Sequence, residues 1–149
     1  MISRIFIICS LATICNMAQA QNPVQWKYSV VKVDNATYEL HLTATMQEGW
    51  HIYAQQQPKE AIAVPTQIAY RANPLVTPVG TAREIGQKET QTVEALDIKQ
   101  YQYAHTVDFV QKITLKATVK TSFSGTVTFQ ACTDKQCLPP KVESFDLTL

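Results

Sequence analysis

Apolar and polar side chains alternate with a period of two over much of this chain. A chain patterned in that way settles as half-buried antiparallel strands. Tyr38, Leu40, Leu42, Ala44 and Met46 fall on one face, with Glu39, His41, Thr43 and Thr45 on the other. Ile113, Leu115, Ala117 and Val119 alternate with Thr114, Lys116, Thr118 and Lys120, and Phe145, Leu147 and Leu149 with Asp146 and Thr148. Strands are also expected over 25–33, 66–72, 103–110 and 126–132, separated by turn signals at Asp34-Asn35, Glu48-Gly49, Asn73-Pro74 and Ser124-Gly125. No segment keeps a helical period between a capped start and a capped stop. The pattern therefore predicts an all-β chain, an immunoglobulin-like antiparallel β-sandwich in one domain.

Two stretches fit the alternation badly. Residues 54–65 contain Gln55-Gln56-Gln57 and two prolines, as a surface loop does. Residues 80–102 are polar and carry Gly86; they read equally as a binding loop or lid and as a hairpin with a short edge strand.

The first twenty residues have the marks of a secretory signal peptide. Arg4 gives the positive start, an apolar run follows, and Ala18-Gln19-Ala20 gives the small-x-small cleavage pattern. The apolar run is too short to span a bilayer, which takes about 20 residues. Cleavage after Ala20 leaves residues 21–149 as the mature domain, with twelve basic and twelve acidic side chains and no second apolar run of membrane-spanning length. That charge balance gives no reason to expect nucleic acid, and 46% hydrophobic residues exclude disorder. Of four cysteines, Cys9 and Cys15 leave with the signal, and Cys132 and Cys137 remain. In an exported protein such a pair can persist as a disulfide.

A strand leads into Cys132, four residues separate it from Cys137, and Pro139-Pro140 follow. The natural picture is a hairpin loop closed by a disulfide. Strand parity puts Val127, Phe129 and Ala131 toward the core and Cys132 on the outer face. By chain entropy a six-residue ring stabilises the fold by only about 2 kcal/mol, and a short accessible ring also exchanges readily. The residues alone favour a structural clip, with redox exchange second. Metal binding is a distant third, because His41, His51 and His105 show no ligand spacing around the pair.

The segment Gly125-Thr126-Val127-Thr128-Phe129-Gln130-Ala131-Cys132, then Cys137-Leu138-Pro139-Pro140 and the closing Phe145-Asp146-Leu147, resembles the N-terminal periplasmic domains of the thiol:disulfide interchange protein DsbD family. Gly49-Trp50-His51-Ile52-Tyr53 resembles that family's glycine-aromatic-x-x-Tyr stretch. The resemblance implies an immunoglobulin-like sandwich with the cysteines at a hairpin tip and a protein-disulfide reductase or interchange role that needs no cofactor and no metal. It implies that Cys137 forms the mixed disulfide with partners and that Cys132 resolves it. Tyr53 takes an aromatic position near the pair. Leu96 takes the place of a cap residue, phenylalanine in the family, with Asp97, Tyr101 and Tyr103 nearby.

On these grounds the expected function is a periplasmic thiol–disulfide exchange domain that relays reducing equivalents through Cys132 and Cys137. Its partners would be a thioredoxin-like electron donor and periplasmic disulfide-bearing acceptors, met by a monomer without nucleic acid or a membrane span. The main rival is an exported immunoglobulin-like binding module with a purely structural disulfide. A copper-binding sandwich using Met46, His51 and His105 ranks last.

Overall fold

The computed structural model describes residues 22–149; the signal peptide expected over residues 1–20 lies outside them. Among the described residues eleven strands follow one another: β1 (Val24–Lys32), β2 (Thr37–Met46), β3 (His51–Tyr53), β4 (Gln67–Tyr70), β5 (Val76–Gly86), β6 (Glu89–Val93), β7 (Ile98–Tyr103), β8 (Thr106–Leu115), β9 (Ser122–Phe129), β10 (Ala131–Cys132) and β11 (Lys141–Thr148). Every pairing between them is antiparallel. They form a large sheet in the order β1-β2-β8-β5, an opposing sheet β11-β9-β4, and a small sheet β10-β3-β7-β6.

The alternation on β2 does what the sequence requires: Leu40, Leu42 and Ala44 are fully buried, and Thr43 and His41 turn away from the core. The first two sheets close over this core. Trp26 of β1 packs on Phe129 of β9 with ring centroids 5.3 Å apart, and Tyr28 on Phe145 of β11 at 5.5 Å. Such aromatic pairs add to the burial of 150–250 Å² that each ring brings. Burial also pushes the Tyr28 phenol up to about 12, with the Glu143 charge adding to the effect.

One buried polar side chain has a clear task. β5 is irregular between Val79 and Arg83, with Gly80 in the left-handed region at φ 65°. Fully buried Gln111 supplies side-chain donors to carbonyls beside this irregularity. Its Nε2 donates to Val79 O (3.1 Å) and Lys112 O (2.7 Å), while its Oε1 accepts from the Tyr70 hydroxyl across the sandwich (3.1 Å). Buried polar groups are tolerated when they are paired in this way.

The small sheet grows from one end of the sandwich. β3 follows β2, β6 follows β5, β7 leads into β8, and β10 follows β9 after the single residue Gln130. Each of its strands is therefore anchored by a long strand of the main sheets. Glu84 of β5 ties the two parts together. Its carboxylate accepts from Gln55 N–H (2.6 Å) and the Tyr103 hydroxyl (2.8 Å) and pairs with Lys88 (3.1 Å).

Burial alone would raise the Glu84 pKa, and it is the largest single influence. The hydrogen bonds and the Lys88 charge together outweigh it and hold the carboxyl below its usual value. A depressed carboxylate contributes stability above its unfolded pKa and loses it as pH falls through the folded one. Glu84→Gln is expected to cost about 1–2 kcal/mol at pH 7 and to flatten the loss of stability below pH 4.5. Urea titrations of both proteins across that window measure it.

Several sequence expectations are corrected here. Ser124-Gly125 is the middle of β9, with no turn. Gly125 is needed there because a Cβ would collide with the Ala69 carbonyl of β4 and the Phe145 ring. The strand expected over 103–110 breaks at Ala104-His105, and β8 ends at Leu115, leaving 116–120 outside the ladder. Residues 80–102 resolve into the end of β5 and the hairpin β6–β7. Residues 54–65 carry no strand, as expected.

Candidate functional site: a one-sided cysteine pair

Cys132 and Cys137 form a disulfide. Cys132 ends β10, which pairs with β3: Ala131 stands opposite Ile52 and Cys132 opposite His51. After Cys132 the chain turns through Thr133-Asp134-Lys135-Gln136 and returns. Thr133 organises that turn: its N–H donates to Gln136 O (2.7 Å), and its Oγ1 accepts from the N–H groups of Lys135 (3.2 Å) and Gln136 (3.1 Å). The returning segment is held by Leu138 N–H on Ala131 O (2.9 Å) and by Gln130 Nε2 on Leu138 O (3.0 Å).

The two sulfurs live in different surroundings. Cys132 is fully buried, and Cys137 is exposed together with the turn before it and Leu138-Pro139-Pro140 after it. Parity places Cys132 on the face away from Ala131, but that face is covered too, so the expected outward cysteine is a buried one. The reason is the step at Gln130. There the chain leaves β9 and joins a different sheet, and the in–out rhythm of β9 no longer says which faces are wet.

His51 and Tyr53 share the Cys132 face of β3 and are buried. Their rings meet edge to face at 5.3 Å, with His51 Nε2 3.5 Å from the Tyr53 hydroxyl. Burial pulls the His51 pKa down, and the charges of Asp134 and Glu89 push back against it. Burial raises the Tyr53 phenol, which stays protonated at neutral pH. Since Ile52 is buried as well, β3 is covered on both faces.

Tyr101 points to the other face of β7 and packs on the main core, with Lys88 Nζ 5.9 Å from its ring. Leu96 is exposed in the turn between β6 and β7. Tyr103 stands opposite Ile52 and Gln102 opposite Tyr53, so that turn projects past the Tyr53 end of β3, whereas Cys132 stands at the His51 end. The register thus brings Tyr53 to the cysteine face and brings neither Tyr101 nor Leu96 there. Lys141, which would favour a thiolate, is committed to Glu143 at 2.7 Å.

The side chains of the copper-type trio have different surroundings: Met46 N–H donates to His105 O (2.9 Å), but Met46 is buried in the main core, His105 is exposed beside β8, and His51 is buried in the small sheet. Among the described residues no three His, Cys, Asp or Glu side chains come together as metal ligands. Among them, too, no helix is long and apolar enough to cross a membrane.

The family model for the N-terminal domain of the thiol:disulfide interchange protein DsbD matches residues 17–149. The chain belongs to the DsbD N-terminal domain family. Its fold agrees. The N-terminal periplasmic domain of ScsB from Proteus mirabilis is similar, with a TM-score of 0.56 and 15% identity over 86% of this chain. This chain spans only 46% of that ScsB chain. The DsbD N-terminal domain of Neisseria meningitidis, in the complex with the PilB N-terminal domain, gives a TM-score of 0.53 and 14% identity, covering 88% of this chain and 87% of that one. The family fold is the immunoglobulin-like antiparallel sandwich expected from the alternation. No curated protein matches the sequence.

Family membership puts thiol–disulfide interchange ahead of a bare structural clip. Sequence reasoning weighed His51 equally as a surface or edge residue and as a proton donor; what it missed is that His51 is buried directly opposite Cys132. The signal was available in part: three successive residues of one short strand, His51-Ile52-Tyr53, are large, ring-bearing or branched, as befits a strand covered on both sides.

Proposed function

We propose that this protein is a periplasmic thiol–disulfide exchange domain, exported by cleavage after Ala20, that passes reducing equivalents from a thioredoxin-like donor to disulfide-bearing acceptors. The observation that carries the proposal is the sidedness of the pair: Cys137 is open to a partner and Cys132 is sealed behind it. One accessible sulfur is what in-line attack by a partner thiolate requires.

In the charging half-reaction a donor thiolate attacks Sγ of Cys137. The Cys132–Cys137 bond breaks, its electron pair leaves on Cys132, and the donor's second thiol then displaces Cys137 and closes the donor's own disulfide. In the delivery half-reaction the Cys137 thiolate attacks an acceptor disulfide. Cys132 resolves the mixed disulfide by attacking Cys137, and the acceptor departs reduced. Two electrons and two protons pass in each half. The exposed Leu138-Pro139-Pro140 segment offers an apolar, extended flank beside the reactive sulfur. Docking by a partner domain accords with the complex formed by the Neisseria DsbD relative.

The test is reduction of the oxidised protein by a thioredoxin-like dithiol, followed by acid quench and alkylation. Reduction within seconds at micromolar donor is expected. A native disulfide that resists the donor, and whose removal only lowers the melting temperature, would establish the binding module with a structural disulfide instead.

A further inference from the structure

Delivery of electrons leaves one chemical problem unsolved by the cysteines themselves. Cys132 must lose a proton to attack Cys137, yet it is fully buried and cannot hand that proton to water directly. Free cysteine ionises at about pH 8.5, and apolar burial moves it higher.

His51 is directly opposite Cys132 on the neighbouring antiparallel strand. Opposed residues hold their Cβ atoms about 4.5–5.5 Å apart, with side chains on the same face. The imidazole is itself 3% exposed, and the Tyr53 hydroxyl lies 3.5 Å from its Nε2. The charged groups that act on this imidazole are Asp134 from the cysteine turn and Glu89 from β6. We propose that His51 is the base that takes the Cys132 proton in the resolving step. This rests on the exchange reading above, and the experiment below separates the two.

Neutral His51 accepts the S–H proton of Cys132 as its Sγ attacks Sγ of Cys137. The Cys132–Cys137 bond forms, and the bond from Cys137 to the partner sulfur breaks. The electron pair leaves on the partner sulfur, which takes a proton from water, and the imidazolium returns its own proton to water through the small surface that His51 keeps (3% exposed) and Cys132 lacks (0%). A neutral imidazole is required at the start. Burial supplies it by holding His51 below its ordinary value, against the pull of Asp134 and Glu89. Tyr53 on the other side is a phenol that stays protonated, so it can orient the ring without competing for the proton.

The experiment reads the resolving step alone. Reduced protein is mixed with the aromatic disulfide 5,5′-dithiobis(2-nitrobenzoate) and the release of thionitrobenzoate is followed by absorbance. Attack by Cys137 releases the first equivalent, and resolution by Cys132 releases the second. His51→Gln is expected to slow the second release about 100-fold at pH 7, in the range of general-base contributions. It should leave the first release unchanged and recover toward the wild-type rate only as the pH rises past that of a free thiol, where the buried Cys132 begins to ionise unaided.

A second release unaffected by His51→Gln, or slowed equally at every pH, overturns the role of His51 while leaving exchange intact. A wild-type protein that never shows a second release overturns the exchange reading as well. Should His51→Gln misfold, the wild-type profile decides: the second release should rise through a midpoint in the imidazole range, and a midpoint at or above that of a free thiol refutes the proposal.

Discussion

In the reduced protein, iodoacetamide is expected to alkylate Cys137 at least about 100-fold faster than Cys132. Cys137 stands open on the returning segment, whereas Cys132 has no accessible surface. Reagent reaches Cys132 only when β10 parts from β3, and a 100-fold protection corresponds to an opening cost of about 2.7 kcal/mol, at 1.36 kcal/mol per decade. The same asymmetry dictates what single cysteine variants do with a partner disulfide. Cys132→Ser should accumulate a covalent adduct through Cys137, because the resolving sulfur is gone. Cys137→Ser should form none, its remaining thiol being sealed. Mass spectrometry of the quenched mixtures identifies the labelled residue. Equal labelling of both cysteines, or adducts through Cys132, would contradict the assignment of roles.

Phe129→Ala is expected to lower stability by about 3–5 kcal/mol, the range for truncating a buried phenylalanine. Phe129 is 1% exposed and is wedged against Trp26 across the sandwich. It is the last residue of β9, one step before the crossing at Gln130, so it fixes where the chain leaves the opposing sheet for the small one. Chemical denaturation should show the full loss, and the exchange site should loosen before the sandwich melts. Val142→Ala, on the exposed face of β11, is the control and should stay within about 0.5 kcal/mol of wild type.

The main sheets were legible because they obey a single rule. Where one face is buried and the other wet, as on β2 and at Phe145 of β11, the side chains announce it. The rule fails at the exchange end for a physical reason. β3 is covered on both faces, and β10 is two residues long and changes sheets at Gln130, so parity carried forward from β9 put Cys132 in the open when it is sealed. Gly125 misled differently. Glycine permits both a turn and a close backbone approach, and only the position of β4 against it shows that the second applies. The residues leading into Cys132 and the prolines after Cys137 were legible as a family likeness. The partner of Cys132 on the next strand was not, because registers between strands distant in sequence are fixed by the assembled sheets.

The place where β3 gives out has a consequence for how this domain can diversify. Beyond Ala54 the chain leaves the sheet, and Gln57 takes over as a surrogate strand: its Nε2 donates to the Tyr101 carbonyl (2.6 Å) and its Oε1 accepts from the Tyr101 N–H (2.9 Å). The edge of β7 is thereby closed off by one side chain. Chain re-enters the ordered frame at Thr66, whose hydroxyl donates to Tyr53 O (2.6 Å). Between these two clasps, residues 58–65 are relieved of ladder duty. Insertions there can lengthen or recolour the surface while the two clasps keep β3, and with it the partner strand of Cys132, in register. A lineage under pressure to greet new partners can therefore rewrite this stretch and leave the chemistry untouched.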